Sequence, residues 1–187
     1  MKFLFFLILN CLVQLTIEGQ IIINEYSAAN FDNFQDNYGQ YEDWFELYNN
    51  SGSSIDLNGY YLSDKDDNLT KWRFSSSIVL DPNDYLIIYC SGRDEINGND
   101  IHTSFKLHQT KGNEWIILTS PDGLTIVDSV FVKPCLTNSS RGLLATNSMG
   151  IFTNPSPNSM NTGGFFNYAN KPSFSHTPGI YNNPINV

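Results

Sequence analysis

Basic side chains are scarce in this sequence, which has 10 Lys and Arg against 19 Asp and Glu and a formal net charge of −9. Binding to a nucleic-acid backbone depends on Lys and Arg side chains that displace counterions from the phosphates. The few basic residues are also scattered along the chain rather than grouped. We therefore expect neither nucleic acid nor an anionic membrane surface as a partner, and we assign the acidic charge to solubility.

Long apolar runs are confined to the N-terminus. Lys2 precedes the apolar stretch from Phe3 to Leu9, which is too short and too interrupted beyond that point for a membrane-spanning helix. This pattern predicts a signal peptide over residues 1–19, with cleavage near Gly19. A lipoprotein signal that ends at Cys11 is the alternative. Either signal exports the chain, so we expect a secreted or cell-surface protein with no membrane insertion after signal cleavage.

Cysteine is rare as well. The sequence has 3 cysteines, and cleavage of the signal peptide leaves only Cys90 and Cys135. An even pair in an exported chain permits a disulfide. Such a bond would close a loop of about 45 residues and stabilise the fold by roughly 3–4 kcal/mol in the chain-entropy model. The alternative is two unrelated thiols, one of them buried as a small hydrophobic side chain.

Catalytic motifs are also missing. The sequence has no G-x-S-x-G elbow and no glycine-rich phosphate loop, and neither Cys90 nor Cys135 lies in a nucleophile motif. His102 and His108 are six residues apart, but a metal would need at least one more ligand, such as Asp100. Two unrelated imidazoles are the simpler interpretation. We predict that the chain as it stands is not an enzyme.

What the sequence does contain is a series of short aromatic and aliphatic segments, separated by Asn, Ser, Gly and Pro roughly every ten residues. Helix formers are sparse. The pattern favours an all-β fold, an antiparallel β-sandwich. From Asn147 onward, few aliphatic residues remain and we predict a linker. The predicted strands run Gln20–Tyr26, Trp44–Tyr48, Tyr60–Leu62, Trp72–Phe74, Ser77–Leu80, Tyr85–Cys90, Glu114–Leu118, Leu124–Val132 and Ser140–Leu144.

Eight segments in order resemble the secreted bacterial form of the lamin tail domain: IINEY, EDWFELYN, DLNGYYLSD, KWRF, DYLIIYCSG, HTSFKL, EWIILTSPDG and IVDSV. The resemblance covers about residues 21–155. It implies an immunoglobulin-like β-sandwich that serves as an accessory module in exported or cell-surface proteins. Nuclear members of the family also contact DNA, but the export signal and the acidic charge argue against that role here.

The domain organisation follows from the same resemblance. We predict a signal peptide (1–19), a lamin-tail-like β-sandwich (20–155) and a Pro/Asn-rich linker (156–187). Within the linker, Lys171–Tyr181 resembles the first strand of the small β-sandwich at the C-terminus of chitobiase-type proteins. That module often follows a lamin tail domain in proteins that carry a spore-coat-H-type kinase domain. The chain is then a fragment of a longer protein; the alternative is a complete protein with a disordered end.

Two loops are the predicted contact surfaces. Ser27–Tyr41 is too long for a hairpin turn and contains aromatic residues, and Asp64–Asn68 is acidic. The tryptophans, by contrast, lie in alternating strands, which predicts that they pack on the inner face of the sandwich rather than form a carbohydrate platform. The predicted binding residues are Phe31, Phe34, Tyr38, Tyr41, Asp64, Asp66 and Asp67, and the three tryptophans are Trp44, Trp72 and Trp115.

Calcium is the one predicted ion. Asp32, Asp36 and Asp43 lie in an oxygen-rich segment with Gly39, and Ca²⁺ takes six to eight oxygen ligands. The spacing does not match an EF-hand, and Asp and Asn side chains that cap their own turns are the alternative.

Three functions remain open at this stage. The first is a non-catalytic binding or architectural module of an exported surface protein, whose partner is a protein or a glycan. The second is an N-terminal accessory domain of a larger enzyme, either a spore-coat-H-type kinase or a carbohydrate-active enzyme. The third is a carbohydrate-binding module in its own right.

Overall fold

The computed structural model describes residues 21–170, 173 and 179–180, and every regular element in this part of the chain is a β-strand. The predicted signal peptide (1–19) lies outside the described residues, as does most of the chitobiase-like segment (171–181). The strands are β1 (Ile21–Ser27), β2 (Trp44–Asn49), β3 (Ile55–Asp56), β4 (Tyr61–Ser63), β5 (Trp72–Arg73), β6 (Val79–Leu80), β7 (Tyr85–Tyr89), β8 (Glu95–Asn97), β9 (Asp100–His102), β10 (Trp115–Thr119), β11 (Ile126–Phe131), β12 (Ser140–Leu143) and β13 (Met149–Phe152).

The strands form two layers. A seven-stranded sheet has the order β13-β12-β1-β2-β7-β9-β8, and a four-stranded sheet has the order β11-β10-β4-β5. All neighbours in both sheets are antiparallel except β7 and β9, which are parallel. The remaining pair, β3 and β6, closes one side. This is an immunoglobulin-like β-sandwich, so the predicted fold class is confirmed.

The main hydrophobic core lies between the two sheets. Phe45 and Leu47 of β2 are completely buried there, together with Leu62 of β4 and Leu118 of β10 from the opposite sheet. Alternate residues of a strand point to opposite faces, and the two inner faces of a sandwich interdigitate. The aromatic alternation in the β2 sequence therefore produces this core directly.

A second, smaller cluster lies on the outer face of the seven-stranded sheet. It consists of Trp44, Ile87 and Tyr89, with Phe34 packed against it. The inner-face prediction was therefore wrong for Trp44, which is buried on the face opposite to that of Phe45. Alternation separates the two faces of a strand but does not say which face a loop will cover.

The other two tryptophans differ from each other in burial. Trp72 is buried in the main core, where the edge of its ring meets Phe74 with ring centroids 5.1 Å apart. Trp115 is only half-buried and packs edge-on against Phe131 at 5.1 Å. Ile116 and Leu118 of the same strand point into the main core, so Trp115 lies on the outer face of the four-stranded sheet, and the inner-face prediction was wrong for it as well.

Four strands, β3, β8, β9 and β13, lie where the sequence predicted none. The polar loop from Ser91 to Asp100 contains β8 and the start of β9, which form a hairpin at the edge of the large sheet. The linker prediction from Asn147 was wrong for β13, which pairs with β12 in the same sheet. A Cβ atom on Gly150 would lie 2.6 Å from the side chain of Leu144, so this strand needs glycine for close packing.

The segment after β13 also packs on the large sheet. We call residues 154–165 the strap. Phe165 exchanges two backbone hydrogen bonds with Ile151, and Ser156 and Asn158 donate backbone hydrogen bonds to side chains of β1 and β2. Contacts with the sheet thus continue beyond the predicted boundary at residue 155. In the part of the chain that the structure describes, no helix is long and apolar enough to cross a membrane.

Candidate functional site

A cleft of about 460 Å³ opens at one end of the sandwich, beside the loop that joins β1 to β2. Small buried side chains form its floor, namely Ala28, Ala29 and Cys90. One wall is the β1–β2 loop (residues 28–43), and the other is the segment 106–110. We call this depression the end cleft. It lies at the loop that the sequence predicted as a contact surface.

Two large aromatic side chains flank the end cleft. Phe31 is 69% exposed and Tyr41 is 41% exposed. Aromatic side chains offer a large apolar surface at low entropic cost, and an exposed pair beside a depression is typical of a binding site. Both residues were predicted to contact a partner, and the structure brings them together at one cleft.

Charged groups of both signs surround these aromatics. The Glu42 carboxylate lies 3.3 Å from the Lys106 ammonium and 3.9 Å from the guanidinium of Arg93. Burial raises the pKa of Asp43 to about 6, although a hydrogen bond donated by the backbone of Asn30 opposes the shift. The cleft therefore presents hydrogen-bond donors and acceptors next to apolar rings. This combination suits a polar ligand with apolar faces.

The β1–β2 loop is held in place by two asparagines. The Asn30 amide donates to the carbonyl oxygens of Phe34 (2.6 Å) and Glu42 (2.8 Å), and its oxygen accepts from the Phe34 backbone N–H (3.0 Å). Asn138 accepts from the backbone N–H groups of Phe31 (2.9 Å) and Asp32 (3.1 Å). The loop that carries Phe31 is thus fixed before any ligand arrives, which lowers the entropic cost of binding.

The other two predicted aromatics support the loop rather than line the cleft. Phe34 meets the edge of Trp44 with ring centroids 5.7 Å apart and stacks on Tyr89 at 6.0 Å. The Tyr38 hydroxyl donates to the Glu95 carboxylate at 2.7 Å, and the Arg93 guanidinium lies 4.5 Å from the centre of the Tyr38 ring. Tyr38 remains half-exposed, whereas Phe34 is an anchor of the loop.

His102 also helps to hold the β1–β2 loop against the sheet. The imidazole of His102 lies 2.9 Å from the Ser91 hydroxyl at Nδ1 and 2.8 Å from the Asn37 amide oxygen at Nε2. It stacks on Tyr89 at 5.1 Å, and burial lowers its pKa. His102 therefore links the loop to the sheet as a neutral hydrogen-bonding group, while His108 lines the end cleft.

The three aspartates predicted for calcium each have partners in the protein. Asp32 accepts from the Asn138 amide, Asp43 accepts from the Asn30 backbone, and Asp36 accepts from two backbone N–H groups of its own turn. The second oxygen of Asp36 faces Arg93 at 3.8 Å. Among the described residues, no group of three or more His, Cys, Asp or Glu side chains is arranged to hold a metal. Calcium binding stays a prediction.

The second acidic loop, Asp64–Asn68, follows β4. Asp64 is buried and pairs with the Lys71 ammonium at 2.5 Å, whereas Asp66 and Asp67 are exposed. Burial is the main cause that raises the pKa of Cys90, and the charges of Asp43 and Asp64 both add to it. The structure thus divides this loop into one buried, paired aspartate and two exposed ones.

Both cysteines are buried free thiols in the structure. The Cys135 thiol donates to the carbonyl oxygen of Ser139 at 3.4 Å, and burial raises the pKa of both Cys90 and Cys135. A raised pKa favours the neutral thiol over the thiolate in both side chains. Their pairing as a disulfide stays a prediction.

A second cleft, of about 370 Å³, lies between β11 and residues 166–167, which follow the strap. It is lined by Tyr26, Lys133, Arg141 and the exposed Phe166. The Arg141 guanidinium donates two hydrogen bonds to the carbonyl oxygen of Pro134, which turns it toward the protein itself. Only one exposed aromatic ring lines this cleft, so the end cleft is the better candidate for a binding site.

The fold and the end cleft together describe an immunoglobulin-like domain that displays loops at one end of a β-sandwich. A sequence model of the family described as Lamin Tail Domain matches residues 16–133, more than half of the chain. The protein belongs to the lamin tail domain family, as its segments predicted. Comparison with curated proteins finds no match. The family match ends before β12, so two strands of the large sheet and the strap lie beyond it.

Proposed function

We propose that this protein is a non-catalytic binding module of an exported surface protein, and that its end cleft contacts a glycan or a protein. The observation that carries the proposal is the pair of exposed aromatic side chains, Phe31 and Tyr41, on a loop that is already fixed. Exposed apolar side chains that cluster at a depression, rather than singly, mark interaction sites, and Phe31 and Tyr41 line the same cleft. Export rests on the predicted signal peptide of residues 1–19.

The mixed charges of the cleft favour a neutral polar partner. Lys106 and His108 lie on one wall, and Glu42 and Asp43 lie on the other. A strongly charged ligand would meet like charges on one side, whereas the hydroxyl groups of a sugar use donors and acceptors equally. Sugars also stack their apolar faces on aromatic rings. Within the proposal, the glycan is therefore the first partner to test.

We expect the double substitution Phe31→Ala and Tyr41→Ala to weaken ligand binding at least about tenfold, since central aromatic contacts contribute about 2 kcal/mol or more. The melting temperature should change little, because both rings are exposed. The measurement applies the mature chain, residues 20–187, to a glycan array and then titrates each bound glycan by calorimetry.

The matched control is Leu124→Ala, which removes an exposed apolar side chain from a turn in the other sheet. Equal glycan affinity in the wild type and the double variant would show that the end cleft is not the site. If the array binds no glycan, a photo-crosslinking residue at position 31 tests the protein partner on whole cells. An absence of crosslinks there, with crosslinks from position 124, would overturn the proposal.

The accessory-domain hypothesis is compatible with the same cleft, because binding modules commonly position an attached enzyme. The accessory-domain hypothesis stays a prediction, and the sequence downstream of Val187 would test it.

A further inference from the structure

Two carboxylates face each other on the outer side of the large sheet. Glu25 of β1 and Glu46 of β2 are direct partners in the antiparallel ladder, and both are 0% exposed. Side chains that are directly opposite in such a ladder have Cβ atoms about 4.5–5.5 Å apart. The register shifts between Ile23 and Glu25, and this bulge turns Asn24 toward the same pair.

The strap supplies most of the hydrogen bonds to this pair. Both carboxylate oxygens of Glu25 accept from the backbone N–H of Ser156 at 3.1 Å, and one of them also accepts from the Ser156 hydroxyl at 3.1 Å. Glu46 accepts from the backbone N–H of Asn158 at 2.5 Å and from the Asn24 amide at 2.7 Å. The Ser140 hydroxyl of β12 donates to Glu25 as well.

Asn161 completes the attachment of the strap. Its amide nitrogen donates to the backbone oxygens of Asn24 at 3.0 Å and Leu143 at 3.1 Å, and its oxygen accepts from the Ser156 hydroxyl at 3.2 Å. The two carboxylates are thus covered by a segment that polar contacts hold over Glu25 and Glu46 and that packs closely against Phe152 at Gly164. Met160, on the strap, is 72% exposed and adds little apolar burial.

No cation compensates the pair among the described residues. Residues 154–165 of the strap contain no titratable side chain. On β7, the Tyr85 hydroxyl is the titratable group that feels the charge of Glu46, and Asp100 of β9 lines the neighbouring cleft with Asn158. Arg141 of β12 donates to Pro134 instead. The hydrogen bonds donated to Glu25 and Glu46 stabilise their ionised forms in part. Two buried negative charges without a cation still repel each other, so a proton on one of the carboxylates favours the docked strap.

We infer that residues 154–165 form a proton-controlled clasp, which closes over the Glu25–Glu46 pair when the pair holds a proton and loosens when both carboxylates ionise. Undocking of the strap returns both groups to water, where ionisation is favourable. The clasp therefore couples the acidity of the surroundings to the exposure of the outer faces of β1 and β2.

The pKa values agree with this direction. Burial raises the pKa of Glu46 to about 7 from its ordinary 4.5, and the charge of Glu25 adds to the shift. Burial also raises the pKa of Glu25, against the hydrogen bonds from Ser140 and Ser156. The docked state thus binds more protons than the undocked state between about pH 4.5 and 7. Docking is fully favoured below this window and weakens as the pH rises through it.

Hydrogen exchange of the strap amides in the mature chain, residues 20–187, tests the clasp. Rates are measured at pH 5.5, 7.0 and 8.5 and divided by the intrinsic rate at each pH. We expect the protection of residues 156–161 to fall at least about tenfold from pH 5.5 to 8.5, which corresponds to one pKa unit of coupling. Protection of the core strands β2 and β7 should change far less.

Glu46→Gln should remove this dependence and keep the strap protected at pH 8.5, because a neutral amide replaces the protonated acid. Asp66→Asn makes the same change in net charge at an exposed site, and Glu114→Gln neutralises a buried acid of the other sheet that has no strap contact. Both controls should keep the wild-type pH response. If Glu46→Gln fails to fold, Glu25→Gln replaces it.

Hydrogen exchange of the wild-type chain at the three pH values also tests the clasp without any variant. Strap protection that stays constant from pH 5.5 to 8.5 would overturn the inference. A loss of protection that occurs equally in the core strands would also overturn it, because the pH would then act on the whole domain and not on the clasp.

Discussion

A chain that ends at Lys133, where the family match stops, is expected not to fold, whereas a chain that ends at Asn170 is expected to unfold cooperatively. The shorter chain lacks β12, which pairs with β1 in the middle of the large sheet at Glu25–Gly142 and Tyr26–Arg141. Its loss turns β1 into an exposed edge, with unpaired backbone groups that promote aggregation.

The energetic loss is large in relation to the stability of a domain. Ile151 and Phe152 of β13 are 0% and 2% exposed, and burying two such side chains stabilises a fold by roughly 3–6 kcal/mol. Domains are stable by only about 5–15 kcal/mol in total. The shorter chain also loses the covering of Glu25 and Glu46.

Circular dichroism during heating and size-exclusion chromatography of residues 20–133 and 20–170 measure this difference. Residues 20–155 form an informative intermediate, because that chain keeps β13 and removes most of the strap. We expect it to fold with a lower melting temperature. A monomeric chain of residues 20–133 with a cooperative transition would contradict the prediction.

Trp44→Ala is expected to destabilise the domain by about 3–5 kcal/mol, the usual cost of truncating a buried aromatic side chain to alanine. Trp44 is 0% exposed and touches the edge of Phe34, which in turn stacks on Tyr89. The substitution therefore removes the surface on which the β1–β2 loop rests. Any ligand affinity of the end cleft should fall together with stability.

Trp115→Ala is the matched control, because Trp115 is half-buried in the other sheet and contacts Phe131 rather than the loop. Urea unfolding gives the stabilities, and hydrogen exchange of residues 30–41 gives the order of the loop. Trp44→Ala should raise exchange in the loop, and Trp115→Ala should not. Equal loop exchange in the two variants would mean that Trp44 does not position the loop.

The local sequence was sufficient to predict the sandwich. The alternation in WFELYN places Phe45 and Leu47 on one face and Trp44 on the other, because the side-chain period of a strand is fixed, but it does not say which face is the core. The order of eight such segments predicted the family, which the match to residues 16–133 confirms. The long β1–β2 loop was recognisable from its length and aromatics, and two of the predicted aromatics do flank the end cleft.

What the sequence did not reveal depends on contacts between distant residues. The side-chain oxygen of Asn138 accepts a hydrogen bond from the backbone N–H of Phe31, 107 residues earlier in the sequence, and Asn138 has a left-handed backbone with φ of 60°. In the sequence, it lies in an ordinary polar turn. Trp44 and Phe45 are adjacent and both aromatic, and only the position of Phe34 decides that the outer face is buried too.

The strap shows the same limit most clearly. Residues 154–165 are rich in Asn, Ser, Gly and Pro, which is the composition of a linker, and no local pattern tells a linker from a segment that packs through backbone hydrogen bonds. Glu25 and Glu46 are charged residues within strands, a position where most acids face water. The sequence by itself determined the fold class, the family and most of the strands. Only the tertiary structure decided that two acids 21 residues apart become buried partners, since their environment is created by a segment more than 100 residues away.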